Sequence, residues 1–140
     1  AHDMPEVAPE SEPVRLLLAL RPNDYANELA KLLRSRHSDW RIDVSEGVVG
    51  TLAQLFDSPP DALVLDATLN GIDTCVLCRE LAGCTISARV RLVVVRPPAM
   101  SSIDLSLRDC GVWAILEGPT SPQAIAECLT VGALGLANVG

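Results

Sequence analysis

Aromatic side chains are scarce in this chain of 140 residues, of which Phe, Trp and Tyr together make up 3%. A hydrophobic core must therefore be aliphatic, and the 49% of hydrophobic residues are enough to fill one in a single domain of this length. Lysine is also nearly missing, since Lys31 is the single lysine among 11 basic residues and the others are arginines. Any site that requires a lysine therefore depends on Lys31 alone.

Basic charge and long apolar runs are lacking too. The 18 acidic residues outnumber the 11 basic ones, and the formal net charge is -7. Binding to a phosphate backbone needs a basic stripe that releases counterions, so we expect no nucleic-acid partner for this domain. No apolar run approaches the roughly 20 residues that span a bilayer, and the first residues lack the pattern of a signal peptide. We therefore expect a cytoplasmic protein that makes no membrane contact.

The five cysteines are an odd number without the spacing of an extracellular disulfide framework, so we expect them to be reduced. Cys75 and Cys78 form a C-x-x-C at a predicted helix start, where a thiolate is stabilised, and this pattern suggests a thiol-based sensor. The same spacing also suits two small apolar residues that face the sheet. His2 and His37 lie in a tail and at a helix end, and no second C-x-x-C exists, which argues against zinc.

Hydrophobic periodicity predicts five strands that alternate with five helices. The predicted strands are 14–20, 40–44, a run that ends at Asp66, 89–95 and 111–116. The first predicted helix runs from Asn23 or Asp24 to about Ser35, the second covers 47–56, the third starts at Cys75 and the fifth starts at Ser121-Pro122. The segment 101–110 fits both strand alternation and helical spacing, and its position between two strands favours a fourth helix. We expect a domain over 14–131, with a disordered tail at 1–13 and a tail or linker start at 132–140.

This alternation predicts an α/β fold with a five-stranded parallel sheet and helices on both faces. The second strand alternates apolar with charged residues, as an edge strand does, which favours the flavodoxin-like order 2-1-3-4-5. The stretch 60–74 then carries the candidate site. Four apolar residues lead without a break to Asp66, which places this carboxylate at the carboxyl edge of the sheet, where ligands bind in such folds.

The stretch 60–81 resembles the receiver domains of bacterial response regulators. It follows that family's order of strand, phosphate-accepting aspartate, loop and Cys-bearing helix, with residues 70–74 in place of the family's Pro-Gly-Met-Asp-Gly loop. Residues 109–119 are similar to the family's Ala-Gly-Ala-Asp-Asp-Tyr-Leu-Thr-Lys-Pro segment. The resemblance covers about residues 14–130 and implies a receiver-type fold, with Asp66 in the place of the phosphoacceptor and Asn70 beside it.

The other site positions of that family carry different residues here. The two acids that hold magnesium fall on Arg21 and Pro22, and Asn23 and Asp24 are the nearest substitutes. Asp24 also suits the role of a helix cap, and only Asp24 and Asp66 remain as metal-ligand candidates. We therefore expect no resident cofactor.

The residues that contact the phosphoryl group and report on it also differ. The family's Ser or Thr after the fourth strand corresponds to Arg96, its lysine to Gly118, and its aromatic switch residue to Ile115. We hypothesise that Arg96, together with Arg21, pairs with Asp66 and neutralises it. The alternatives are that Asp66 only caps the loop after its strand, and that Arg96 extends into solvent.

These residues predict a pseudo-receiver, a non-enzymatic module of two-component signalling that acts through protein contacts. The resemblance implies contacts with other signalling proteins or an output domain, or a homodimer, through the fourth helix, fifth strand and fifth helix. Trp113 lies near this face, either as packing or as a contact residue. A second interpretation keeps Asp66 as a phosphoacceptor for a histidine kinase with Mg²⁺ as cofactor, and a third is the thiol sensor.

Overall fold

Strands and helices alternate along the chain as predicted. The computed structural model describes residues 14–20, 24–45, 47–69, 73–84, 90–118 and 120–130, so both predicted tails lie outside the described residues. The strands are β1 (Arg15–Ala19), β2 (Arg41–Val44), β3 (Ala62–Asp66), β4 (Arg91–Arg96) and β5 (Ala114–Glu117). The helices are α1 (Asp24–Arg36), α2 (Gly47–Asp57), α3 (Thr74–Ala82), α4 (Asp104–Asp109) and α5 (Pro122–Thr130). A 3-10 helix, Pro98–Ile103, leads into α4.

The five strands form one parallel sheet in the order β2-β1-β3-β4-β5, which confirms the predicted fold class and strand order. All strands therefore end at the same edge of the sheet. Asp66 lies opposite Val95 in the register of β3 and β4, and Arg96 lies opposite Glu117 in the register of β4 and β5. These two register pairs position the candidate site.

The core has two layers, one on each face of the sheet. Alternate residues of each buried strand point to opposite faces. Leu18 and Val64 join the layer under α1 and α5, whereas Leu17 and Leu63 join the layer under α2, α3 and α4. Both layers are almost wholly aliphatic, as the shortage of aromatic residues requires. None of the helices within the described ranges has the length and apolar character needed to cross a bilayer.

The predicted start of the fifth strand is wrong by three residues. Residues 111–113 precede β5 because they terminate α4: the Gly111 N–H donates to the Arg108 carbonyl at 3.0 Å and the Val112 N–H donates to the Leu107 carbonyl at 3.1 Å. Gly111 adopts a positive φ of 83°, a conformation that glycine supplies at a helix end. The start of α5 agrees with the sequence pattern, since the Ser121 hydroxyl accepts the Ala124 N–H at 3.1 Å.

Candidate functional site

Asp66 is half-buried at the end of β3. Its Oδ1 accepts two hydrogen bonds from Thr68, one from the backbone N–H at 2.7 Å and one from the hydroxyl at 2.6 Å. The carboxylate thus caps the turn after its strand, which is one of the roles predicted from the sequence. Among the described residues, none donates a hydrogen bond to its Oδ2. Within the described part of the chain, the turn therefore engages one carboxylate oxygen and leaves the other without a donor.

The segment after Asp66 is anchored at the start of α3. The Thr74 hydroxyl donates to the Ala67 carbonyl at 3.2 Å, and Asp73 caps the helix by accepting the Val76 N–H at 3.1 Å. Asn70, which follows this turn in the sequence, lies outside the described residues. Arg21 and Asn23 lie outside them as well. Their predicted places in the site stay predictions.

Arg96 binds two carboxylates at the end of β4. Its Nε and Nη2 donate to the two oxygens of Asp104 at 2.8 and 2.7 Å, and its Nη1 donates to Glu117 at 3.0 Å. The Arg96 side chain is only 8% exposed. We call these three residues the arginine clamp, because they join the end of β4 to the start of α4 and to the end of β5.

The hydrogen bonds of the clamp favour the charged forms of Arg96 and Asp104. Hydrogen bonds from Arg96 lower the pKa of Asp104 below the ordinary aspartate value. Hydrogen bonds to Asp104, and then those to Glu117, raise the pKa of Arg96 further above its already high value. One positive charge thus faces two negative ones, so the clamp carries a net negative charge.

The predicted pair between Arg96 and Asp66 is wrong, and strand alternation explains why. Asp66 is level with Val95 and shares the face of the sheet to which Val64 contributes. Arg96 is the next residue, so its side chain leaves β4 on the opposite face, where Asp104 begins α4. The guanidinium therefore meets Asp104 and Glu117, and the alternative that Arg96 extends into solvent is wrong as well.

A cavity of about 450 Å³ opens beside Asp66 at the carboxyl edge of the sheet. Its described lining residues are Leu20, Tyr25, Asp66, Thr68, Val95, Arg96, Pro97, Pro98, Gly118 and Thr120. The apolar residues among them form most of the wall, and Asp66 supplies a carboxylate to it. The cavity lies where ligands bind in open parallel sheets.

Tyr25 also lines this cavity, and no motif in the sequence singled it out. Its hydroxyl donates a hydrogen bond to the carbonyl of Thr120 and so connects α1 with the segment before α5. Burial, and after it the negative charge of Asp66, raises the pKa of Tyr25, so the phenol stays protonated at neutral pH. The two partners are 95 positions apart in the sequence, which leaves no local signal for this contact.

Ile115 lies in β5 and Gly118 directly follows that strand. Neither side chain can do what the lysine or the aromatic residue does at the corresponding position of the family. The Gly118 N–H donates to the Arg96 carbonyl at 2.8 Å, which holds the end of β5 against β4. Ile115 is half-buried and packs against the core layer under α4. The positions that hold a lysine and an aromatic switch in the family thus serve backbone pairing and packing here.

The residues described around Asp66 do not fit the magnesium site of the family. In the family, two adjacent acids hold the magnesium ion, and waters and phosphate oxygens complete its shell. Asp66 is the one carboxylate among the described residues that line the cavity. Within the described ranges, no group of three or more His, Cys, Asp or Glu side chains is placed to hold a metal. Asp24 begins α1, and its side chain lies outside the described part of the chain.

The C-x-x-C cysteines lie in α3, and both are free thiols. Cys78 is 0% exposed, and burial raises its pKa to about 12, with smaller contributions from Cys110 and Cys75. Burial also raises the pKa of Cys75, with a smaller contribution from Asp73. A stabilised thiolate is what a thiol sensor requires, and both shifts oppose it.

Comparison with solved structures identifies receiver domains as similar in fold. No protein-family model matches the chain, and no curated protein matches it either. A CheY-like response regulator receiver domain protein from Methanospirillum hungatei JF-1 has a TM-score of 0.75 and 12% identity over 91% of this chain and 99% of its own. The receiver domain of a DNA-binding response regulator from Colwellia psychrerythraea 34H has a TM-score of 0.75 and 14% identity over 84% of this chain and 95% of its own.

A third similar structure was solved with a metal. It is the receiver domain of a sensor histidine kinase from Pseudomonas aeruginosa PAO1, with a magnesium ion coordinated in its active-site cleft. Its TM-score is 0.66 and its identity 15%, over 84% of this chain and 95% of its own. At such identities the likeness shows the fold, so the chain has the receiver fold that its sequence predicts.

Proposed function

We propose that this chain is a receiver-type module of two-component signalling that acts through protein contacts and is not switched by magnesium-dependent phosphorylation. The receiver fold supports the first part, because domains of this type relay signals between proteins. The arginine clamp carries the second part. We propose no catalytic activity and no resident cofactor for the domain.

The clamp removes the cation that a phosphorylated Asp66 would need. Transfer of a phosphoryl group requires positive charge that neutralises the developing negative charge on its oxygens. Arg96 corresponds to the position that contacts the phosphoryl group in the family. Its guanidinium is already hydrogen-bonded to Asp104 and Glu117. Lys31, the one lysine, lies exposed on α1. The described residues therefore offer Asp66 no uncommitted basic partner.

The clamp also opposes the movement on which a switch depends. A switching protein has two packed arrangements that differ by a few kcal/mol, and a ligand or modification selects one of them. Separating α4 or the end of β5 from β4 would take one of its two carboxylate partners from the buried Arg96 guanidinium, which is costly. The three elements are therefore expected to keep one arrangement.

Exposed apolar side chains support a role in protein contacts. Leu105 on α4 is 77% exposed, and Trp113 before β5 is 45% exposed. The Arg91 guanidinium lies 4.9 Å from the centre of the Trp113 ring, and both residue types are enriched in interfaces. We propose that the face of α4, β5 and α5 meets a signalling protein, an output domain or a second copy of the chain.

Phosphorylation by a small donor tests the proposal. The protein is incubated with acetyl phosphate and MgCl₂ and its intact mass is measured, beside a phosphorylatable receiver domain as positive control and Asp66→Asn as matched negative control. We expect no mass increase in this protein. A gain of one phosphoryl group that Asp66→Asn abolishes would overturn the proposal.

The second candidate function is that of a phosphoacceptor, and one observation favours it. The Oδ2 of Asp66 accepts no hydrogen bond from a described residue, and an oxygen without such a bond is what attack on a phosphoryl donor requires. The same mass measurement distinguishes the two functions, because this candidate requires the phosphorylated species.

A further inference from the structure

The cavity beside Asp66 has the size and composition of a small-molecule site. Its volume of about 450 Å³ falls within the range of roughly 300–1,000 Å³ that is usual for such sites. Most of its wall is apolar and comes from Leu20, Tyr25, Val95 and the two prolines after β4. A few polar groups, those of Asp66, Thr68 and Thr120, complete the lining. This combination suits a ligand with an apolar body and one polar group.

The charges around the cavity select the sign of that polar group. Asp66 brings a carboxylate whose Oδ2 accepts no hydrogen bond from the described residues. Arg96 also lines the cavity, but its charge is more than matched by Asp104 and Glu117. The described wall is therefore negative, which attracts a cation and repels phosphates and carboxylates.

The apolar wall also decides between an organic cation and a metal ion. Magnesium and calcium require a shell of about six or more oxygen ligands. An ammonium group needs only a few acceptors, and Asp66 with the hydroxyl and carbonyl groups of Thr68 and Thr120 can supply them. The hydrocarbon part of such a ligand would bury its surface against Leu20 and Val95.

We infer that this cavity binds a small organic cation, a protonated amine on an apolar body, with Asp66 as its counter-ion. The inference rests on the proposed function, since a phosphorylated Asp66 could not serve as the counter-ion. Binding would link the ends of β3 and β4 with Tyr25 on α1, so the module would report on a small molecule.

Calorimetric titration of the whole protein, without phosphodonor, tests this inference. The probes are a panel of aryl and cycloalkyl amines, represented by phenethylamine, each with its matched alcohol and carboxylate. We expect at least one amine to bind about tenfold or more tightly than its alcohol, and its carboxylate not to bind, because only the amine pairs with Asp66.

Three variants assign the binding to the cavity. Asp66→Asn should weaken the binding of the amine by about tenfold or more and leave the alcohol unaffected. Asp39→Asn removes the same charge from an exposed position in the turn before β2 and should change neither. Val95→Phe fills the cavity but keeps the carboxylate, and it should abolish binding of the amine. Circular dichroism verifies that each variant is folded.

Different results would contradict the amine-binding inference and the proposed function. If no amine of the panel binds, if binding ignores both Asp66→Asn and Val95→Phe, or if MgCl₂ displaces the amine, the inference is overturned. The first two outcomes leave the proposed function unchanged, whereas displacement by MgCl₂ would also count against a domain without a resident cofactor. Phosphorylation of Asp66 by acetyl phosphate overturns the proposed function whatever the titration shows.

Discussion

The Cys78 thiol is expected to be almost inert toward thiol reagents in the folded protein. Its side chain is 0% exposed in the core layer under α3. Burial raises its pKa from 9.0 to about 12, so the reactive thiolate is rarely formed. This prediction decides the thiol-sensor alternative, which requires Cys75 or Cys78 to react quickly.

The expected slowing follows from the change in pKa. At about pH 8, a thiol of pKa 9.0 is about one-tenth thiolate, whereas one of pKa 12 is about one part in ten thousand, a loss of about a thousandfold. A thiolate of higher pKa is also more nucleophilic, with a Brønsted slope of about 0.4–0.5, which restores about 15- to 30-fold. Ionisation alone therefore slows Cys78 by about 30- to 60-fold, and its burial slows it further because the reagent needs an opened state.

The assay compares Cys78 with itself in the folded and the unfolded protein. Short pulses of an aromatic disulfide reagent are quenched with acid, and the labelled peptides are quantified by mass spectrometry with and without urea. We expect folding to protect Cys78 by more than about 50-fold, and half-buried Cys75 by less. Equal rates in both states, or a Cys75–Cys78 disulfide after mild oxidation, would refute this reasoning and favour a thiol sensor.

Three further predictions concern the clamp and the core. Because the pKa of Asp104 is lowered in the folded state, its stabilising contribution is present above the ordinary aspartate pKa and is lost as pH falls through the lowered value. Asp104→Asn should therefore be less stable at neutral pH and should lack this part of the acid dependence in urea unfolding; equal pH profiles would contradict this. Arg96→Lys keeps the charge but loses the two parallel hydrogen bonds to Asp104. Amide hydrogen exchange should therefore become faster at the start of α4 and at the end of β5. Unchanged protection of these amides would argue against the clamp. Leu63→Ala, at a side chain that is 0% exposed, should lower the free energy of unfolding by about 2.7–5 kcal/mol. The control Leu105→Ala, at a side chain that is 77% exposed, should change it by less than about 0.5 kcal/mol.

The fold could be predicted because each element carries its own local pattern. Continuous apolar runs such as 62–65 indicate strands covered on both faces, and the mixed pattern of 40–44 indicates an edge. These patterns gave the sheet order that the structure has. The start of β5 was wrong because apolar residues that terminate α4 have the same composition as a strand.

The candidate site was predictable only in part, because its contacts depend on register and on distant segments. Asp66 could be found since it ends an apolar run. The partners of Arg96 could not, because strand composition does not show which residue of β4 lies level with Asp66. Asp104 is eight residues from Arg96, and its position at the start of a helix after a strand-ending arginine is a usable signal in retrospect. Tyr25 and Thr120 meet only through the packing of α1 and α5.

The arginine clamp also limits the evolutionary routes open to this chain. Replacing Arg96 by the serine or threonine that the receiver pattern has at this position would leave Asp104 and Glu117 facing each other without their shared cation. The first step of such a reversal would be costly unless both acids changed as well, so the three positions are expected to covary. Homologues that keep the arginine but lose both acids would break this epistasis.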